Sequence, residues 1–274
     1  MKIAVISDIH SNGIILEKAI KDAKSKKVDD LFFLGDMITD GIMDNEVLDI
    51  VTKTSSNVIL GNRENYIISI IKNDVKFDGF NNTRPLFHTR NHLTTNSINI
   101  IMNLPKLLLI EKDNIKFLLI HGDNPSLKSN MDYDKLIEQY DFDVCLSGHT
   151  HQIKSILYRG KQFLNPGSIG CPIDSPFYSY GIYDTETKTF TIQKLSTKID
   201  YEKIQSSYLN SSYYEENPEW CNLILVGIKY GKDINEQFVR RIKNQIKNLK
   251  TYSADEYNSI WDETYKQIKE EYNI

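Results

Sequence analysis

Along the first half of the chain, short apolar runs alternate with stretches in which apolar residues recur every three or four positions. The runs at 2–7, 30–34 and 57–60 predict buried strands, and the stretches at 13–26, 43–54 and 64–72 predict amphipathic helices. That alternation is the signature of a parallel sheet built from βαβ units. Residues 73–89, with Gly79, Asn81, Asn82 and Pro85 and little periodicity, predict a loop or cap before a helix near 93–103. From Lys106 the pattern turns strand-rich, with runs at 106–110, 114–120, 143–147, 153–158, 161–164, 178–184 and 189–195. A helix over 130–140, opened by Asn130, interrupts them. A second sheet stacked on the first, with helices outside, is the expected architecture.

Beyond about residue 200 the character changes, and Tyr, Asn, Glu and Lys dominate. Asp233 followed by Glu236 is a capping-box pattern, and Ile234, Phe238, Val239, Ile242, Ile246 and Leu249 mark one helical face. The expected organisation is one domain over 1–200 and a helical C-terminal extension over 201–274 packed on it. The extension reads as structural, as a substrate cover, or as a contact joining copies into a homo-oligomer.

Composition adds exclusions. The 274 residues, 40% hydrophobic and 26% charged, are those of an ordinary globular chain able to bury a sizeable core. A net charge of -4 gives no global reason to bind nucleic acid or an anionic membrane, so no stable nucleic-acid partner and no membrane partner are expected. Cys145, Cys171 and Cys221 are widely spaced without a CxxC, which argues against a disulfide framework or a thiolate metal site. Met1-Lys2 runs straight into the first strand, and no apolar run approaches the roughly 18 residues of a membrane helix. A cytoplasmic location is the expectation.

The chemistry is concentrated in a few short segments. Asp8 and His10, Asp36, Asn62, His121, and His149 with His151 follow or open these elements, and four of the six histidines fall among them. Oxygen and imidazole ligands without sulfur suit two borderline divalent ions such as manganese, iron or zinc. Two such ions outweigh the carboxylates of Asp8 and Asp36 and a bridging hydroxide, leaving a positive centre that favours an anionic substrate. Two metals about 3.5 to 4 Å apart can acidify a shared water and hold phosphoryl oxygens, which makes phosphoester hydrolysis the natural reaction. Asp123 and Asn124 are candidate substrate contacts or turn residues before Pro125, and Cys171 is a thiol that follows a turn at 165–168.

Five ordered motifs carry a resemblance: D-x-H at Asp8–His10, GD at Gly35-Asp36 with Gly41 beyond, GN at Gly61-Asn62, HG at His121-Gly122 and GHTH at Gly148–His151. With Asn165-Pro166-Gly167-Ser168, they span roughly residues 1–195 and resemble the calcineurin-like metallophosphoesterases, especially small bacterial predicted phosphodiesterases related to diadenosine tetraphosphatases. The resemblance implies a four-layer αββα sandwich, here with a C-terminal helical appendage. It implies one metal ion on Asp8, His10, Asp36 and His151, and a second on Asp36, Asn62, His121 and His149. Attack of a metal-bridging hydroxide on a phosphodiester or small nucleotide would follow.

One departure stands out. Where the family often has GNH, this chain has Gly61-Asn62-Arg63-Glu64, and Thr39 and Asp40 replace the Asp-Arg pair of the phosphatase form. A guanidinium cannot give up a proton at neutral pH, but it can clamp a phosphoryl oxygen. Asp36, Asn62 and Arg63 are therefore the expected catalytic set, with Arg63, Asp40, His88 and His92 as substrate contacts. His88 and His92, four apart, imitate a metal pair but show no third ligand nearby in sequence. A protein or phosphomonoester phosphatase, and a low-turnover metal-containing regulatory protein, are the alternative readings.

Overall fold

The first strand, β1 (Lys2–Ile6), is buried on both faces: Ile3 and Val5 pack toward a second sheet, Ala4 and Ile6 toward helices. Two-sided burial is why the run reads as continuously apolar. The structure, a computed structural model, describes residues 1–122, 132–173, 175–247 and 249–274. After β1 come α1 (Gly13–Ser25), β2 (Asp30–Phe33), α2 (Asp44–Thr54), α3 (Asn62–Lys72), α4 (Arg84–His92) and α5 (Thr95–Asn103). The middle of the chain forms β3 (Leu107–Lys112), β4 (Ile115–Ile120), α6 (Tyr133–Gln139), β5 (Val144–Ser147), β6 (Ile153–Tyr158), β7 (Lys161–Pro166), β8 (Phe177–Asp184) and β9 (Thr189–Ser196). Five helices close it: α7 (Tyr201–Leu209), α8 (Ser212–Glu216), α9 (Pro218–Tyr230), α10 (Ile234–Ile246) and α11 (Ala254–Tyr272).

One sheet has the order β2-β1-β8-β9, with β1 parallel to β2 and antiparallel to β8. The other has the order β3-β4-β5-β7-β6, in which β4, β5 and β7 run parallel between antiparallel edges. Val5 and Phe32 of the first sheet meet Phe117, Leu146 and Leu164 of the second, and the Phe32 and Phe117 rings pack edge-on at 5.6 Å. Leu16, Val47 and Ile67 bring α1, α2 and α3 onto the outer face of the first sheet, and Leu136 brings α6 onto that of the second. The result is a four-layer αββα sandwich. The helices from Tyr201 onward join the core on the first sheet's helical side, where Tyr178 and Tyr180 share a cluster with Tyr208, Trp220 and Trp261. Among the described residues no helix is long and apolar enough to cross a membrane.

Several elements differ from expectation. Residues 57–60 form no full strand: they touch β2 through a single bridge at Val58, because Leu60 turns to donate to the Pro105 carbonyl at 2.8 Å. Part of the expected loop is α4, with Pro85 in its first turn, where the missing N–H costs nothing. The helix near 93–103 is the separate α5, capped by Thr94, which accepts from Ser97 N at 3.1 Å. Helix α6 is capped by Asp132; Asn130 lies outside the described residues, as do Asp123, Asn124 and Pro125. On α10, Ile234, Phe238 and Ile242 are buried, Val239 and Ile246 are half-buried against the same core, and Leu249, past the helix end, is exposed.

Candidate metal centre

Asp8 and His10 follow β1, Asp36 follows β2, His121 follows β4, His149 and His151 follow β5, and Asn62 opens α3. Parallel pairing of β1 with β2, and of β4 with β5, brings these carboxyl ends to one edge of the sandwich. Asp8, His10, Asp36, His149 and His151 all adopt left-handed backbone conformations, with φ between 46° and 67°. Such conformations persist in non-glycine residues where the surroundings enforce them. The loops touch closely enough that a Cβ on Gly61 would stand 2.2 Å from Asp36 Oδ1.

The seven ligands named from the sequence converge. His151 donates Nδ1–H to the Cys171 carbonyl at 3.1 Å, and His121 donates Nδ1–H to the Leu34 carbonyl at 2.7 Å. In each neutral ring Nε2 is then a bare acceptor. Yet His151 Nε2 lies 3.2 Å from His10 Nε2 and 3.3 Å from Asp8 Oδ1. His121 Nε2 lies 3.3 Å from Asp36 Oδ2 and 3.1 Å from Asn62 Oδ1, and His149 Nδ1 is 2.9 Å from the same amide oxygen. At the Nε2 atoms of His121 and His151, acceptors face acceptors, which requires positive charge between them. The atoms fall into two groups, Asp8 with His10 and His151, and Asp36 with His121 and His149, so the donor set fits divalent cations.

The electrostatics state the same demand. Burial would raise the Asp8 and Asp36 carboxyls, but the surrounding imidazoles hold both below the usual carboxylate range. Burial would lower His121, but Asp36 and Asp8 push it up to about 10, and Asp8 raises His151 in the same way. Divalent cations bound there would answer that field in place of protons.

Two supports hold the loops that carry these residues. Glu64, fully buried, accepts from Asp36 N at 3.0 Å and Gly61 N at 2.7 Å with one oxygen, and from Met37 N at 2.7 Å and Ile38 N at 3.1 Å with the other. It pins the two ligand loops together. Burial and the Asp36 charge push its carboxyl up to about 7, against the pull of the Gly61 and Ile38 amides. The available signal was its place three residues after Gly61, the acidic half of a capping box. The second support is the turn at 165–168, where Asn165 Nδ2 donates to the Gly148 carbonyl at 2.7 Å and Ser168 Oγ to the Asp8 carbonyl at 2.8 Å.

Arg63 sits beside the ligands with its side chain 27% exposed, and its Nη2 lies 2.9 Å from Asp40 Oδ2. Burial would lower the guanidinium, but Asp40 and Asp36 raise it, so it stays charged. Burial would raise Asp40; Arg63, with His10 and Trp220, holds it well below the usual range. His10 Nδ1 also faces Asp40 Oδ2 at 3.2 Å, off the line of a full hydrogen bond. From the C-terminal helices, Trp220 Nε1 donates to Asp40 Oδ1 at 2.9 Å, and Tyr208 OH donates to the Asp40 carbonyl at 2.8 Å. No sequence signal links positions 180 residues apart.

A cleft of about 670 Å³ opens from the centre, lined by His10, Asp36, Asn62, Arg63 and Cys171 and walled by α9 and α10. His88 and His92 are not among its lining residues. Their rings stack at 3.9 Å, His88 is buried with Nδ1 2.8 Å from Glu216 Oε2, and His92 Nδ1 donates to the His88 carbonyl at 2.9 Å. Glu216 is the nearby acidic group that local sequence did not show.

Residues 1–188 match the calcineurin-like phosphoesterase superfamily domain. An uncharacterized protein of Methanocaldococcus jannaschii is 27% identical over 244 residues, covering 80% of this chain and 94% of that one. Among solved structures, a metallophosphoesterase from Sphaerobacter thermophilus aligns with a TM-score of 0.64 at 22% identity, over 84% of this chain and 99% of its own. A hypothetical protein from Pyrococcus horikoshii aligns at 0.59 with 17% identity, over 79% and 97%. At these identities the structural likenesses speak for the fold.

Proposed function

The chain belongs to the calcineurin-like phosphoesterase superfamily and is a phosphoric ester hydrolase; from that premise we propose that it cleaves small phosphodiesters at a centre of two divalent metal ions. The observation that carries this is the pair of adjacent acceptor groups, Asp8 with His10 and His151 and Asp36 with His121 and His149, with the charged Arg63 beside them. Asp8, His10, Asp36 and His151 would hold one ion, and Asp36, Asn62, His121 and His149 the other. Bound there, the ions supply Lewis acidity for a water and positive charge for phosphoryl oxygens. Manganese, iron and zinc all suit this mixed oxygen and imidazole set.

Arg63 does what a histidine at its position would not. Braced by Asp40, the guanidinium offers paired donors to a phosphoryl oxygen and orients the ester, but it cannot protonate the departing oxygen. Esters with acidic leaving groups should therefore react best. A walled cleft of about 670 Å³ has the size of a small-molecule site, which supports a small ester over the surface of a phosphoprotein.

The test is hydrolysis of bis(p-nitrophenyl) phosphate and p-nitrophenyl phosphate by metal-depleted protein resupplied with manganese. Diester turnover should exceed monoester turnover, and Asp36→Asn should lower it by more than about 100-fold, beyond what loss of a supporting group costs. Faster monoester turnover would make the protein a phosphatase. No turnover of either ester by protein carrying two metals would leave a metal-containing binding protein.

A further inference from the structure

One cluster of ligating side chains lies outside the candidate centre. His88 and His92 stand one turn apart on α4, so their rings project from the same face. The rings stack at 3.9 Å with 20° between their planes. Glu216, the last residue of α8, comes to the pair from 128 positions along the chain, with Oε2 2.8 Å from His88 Nδ1. A ring nitrogen from each histidine and a carboxylate oxygen of Glu216 all lie within 4.8 Å of one another. The cleft is lined from the same helix by Pro85 and Leu86 instead, so this cluster is separate from both ligand groups of the candidate centre.

The surroundings of the three side chains suit a metal ion. His92 donates Nδ1–H to the His88 carbonyl at 2.9 Å, which leaves its Nε2 a bare acceptor, and a backbone carbonyl behind the second ring nitrogen is the usual brace of a ligating histidine. His88 is buried, and its ring packs edge-on against Tyr213 at 4.9 Å, so its position is fixed. Arg84 donates to the backbone carbonyl of Glu216 at 3.3 Å and leaves the carboxylate to the histidines. That carboxylate is half-exposed, so an ion can enter from solvent and keep a water. Two ligands of a tetrahedral zinc ion stand about 3.3 Å apart, so the His88–Glu216 pair has to open by only about half an ångström to admit one. His92 is exposed and can turn its ring onto the same ion.

Two imidazoles and one carboxylate are a zinc ligand set with a fourth position left for water. Where two histidines at this spacing serve hydrolysis, a glutamate after the first acts as the base; here Thr89 stands in that position. The cluster is therefore equipped to hold an ion and lacks the base that would activate its water. We propose that His88, His92 and Glu216 form a zinc site, distinct from the phosphoesterase centre, that fastens α4 to the C-terminal helices. Asn217 and Pro218 follow Glu216 directly and open α9, whose Trp220 donates to Asp40. An ion on Glu216 thus steadies the start of the helix that reaches Asp40.

The experiment is equilibrium dialysis of the full-length protein against zinc, with bound metal counted by elemental analysis. His92→Ala and Glu216→Gln, both at exposed positions, should each carry one equivalent less than the parent, while Asn91→Ala, exposed on the same helix, should carry the parent's number. The readout is a difference, so it holds whether the phosphoesterase centre takes up two zinc ions, one or none. Thermal midpoints supply a second readout. Zinc should raise the parent's midpoint, relative to the same protein in chelator, by more than it raises that of either ligand variant, because an ion that binds only the folded chain stabilises it by mass action. An unchanged metal count in either ligand variant, or an equal zinc-induced rise in the parent and both, would overturn the site.

Discussion

The two halves of the candidate metal centre are not braced in the same way. Around Asp36, Asn62, His121 and His149, the supports are local to the sandwich: the Leu34 carbonyl under His121, the Arg63 amide on Asp36 Oδ1 at 2.8 Å, and the four-fold grip of Glu64 on the 36–38 and 61 amides. Around Asp8, His10 and His151 the sandwich again contributes, through the Cys171 carbonyl on His151 and Ser168 on the Asp8 carbonyl, but there is a distant support as well: His10 faces Asp40, and Asp40 is met by Trp220 and Tyr208 from the C-terminal helices. The first half draws these supports from the sandwich alone. The second half adds a contact from the C-terminal helices, so the region without motifs reaches the candidate centre through Asp40.

The largest effect should come from the local half. Glu64→Ala would leave four buried amides without acceptors, at about 1–3 kcal/mol each when nothing replaces the bond. Partial relaxation brings the expected loss to roughly 5 kcal/mol, or a fall of about 10–20 °C in the thermal midpoint. The variant should also bind one equivalent less metal. Scanning calorimetry and metal analysis measure both, and a midpoint within about 2 °C of the parent would show that Glu64 does not pin the loops.

Legibility followed the same division. The convergence of the candidate ligands could be read because Asp8, Asp36 and His121 each follow a buried apolar run, and a strand end fixes where its next side chains go. The layers could be read because Ile3 and Val5 alternate with Ala4 and Ile6 between two cores. Residue types fail where they have two meanings. Pro85 reads as loop punctuation and also opens α4, and the 57–60 run is apolar enough for a strand but spends its last amide on Pro105. His88 and His92 have cleft-like chemistry, yet Glu216 and ring stacking occupy them away from the cleft. Trp220 reads as core, and most of it is; that its one N–H reaches Asp40 is a fact of tertiary packing.

Asp40→Asn should test the distant half with an intermediate effect. The substitution keeps an oxygen for Trp220 but removes the charge that faces both His10 and Arg63. Loss of a carboxylate behind a ligating histidine typically costs 10–100-fold in metal affinity. Stepwise manganese titration should therefore show one ion weakened by about 10–100-fold and the other by no more than about 2-fold. Equal weakening of both would mean that the two groups are coupled so tightly that the division has no energetic content.

Trp220→Phe should be the gentlest and the sharpest of the three. The ring remains to stack on Trp261 at a 6.0 Å centroid separation, so the core is largely kept, and only the N–H on Asp40 Oδ1 is lost. A hydrogen bond to a charged group contributes about 1.5–3 kcal/mol, but Asp40 keeps Arg63 on its other oxygen, and the effect on His10 is passed on secondhand. The weakened ion should be the one sensitive to Asp40→Asn, by roughly 3- to 10-fold, with the other ion unmoved. A purely packing role predicts the opposite pattern, a lower thermal midpoint with both metal affinities intact. That result would detach the C-terminal helices from the metal centre and leave them only the cleft wall.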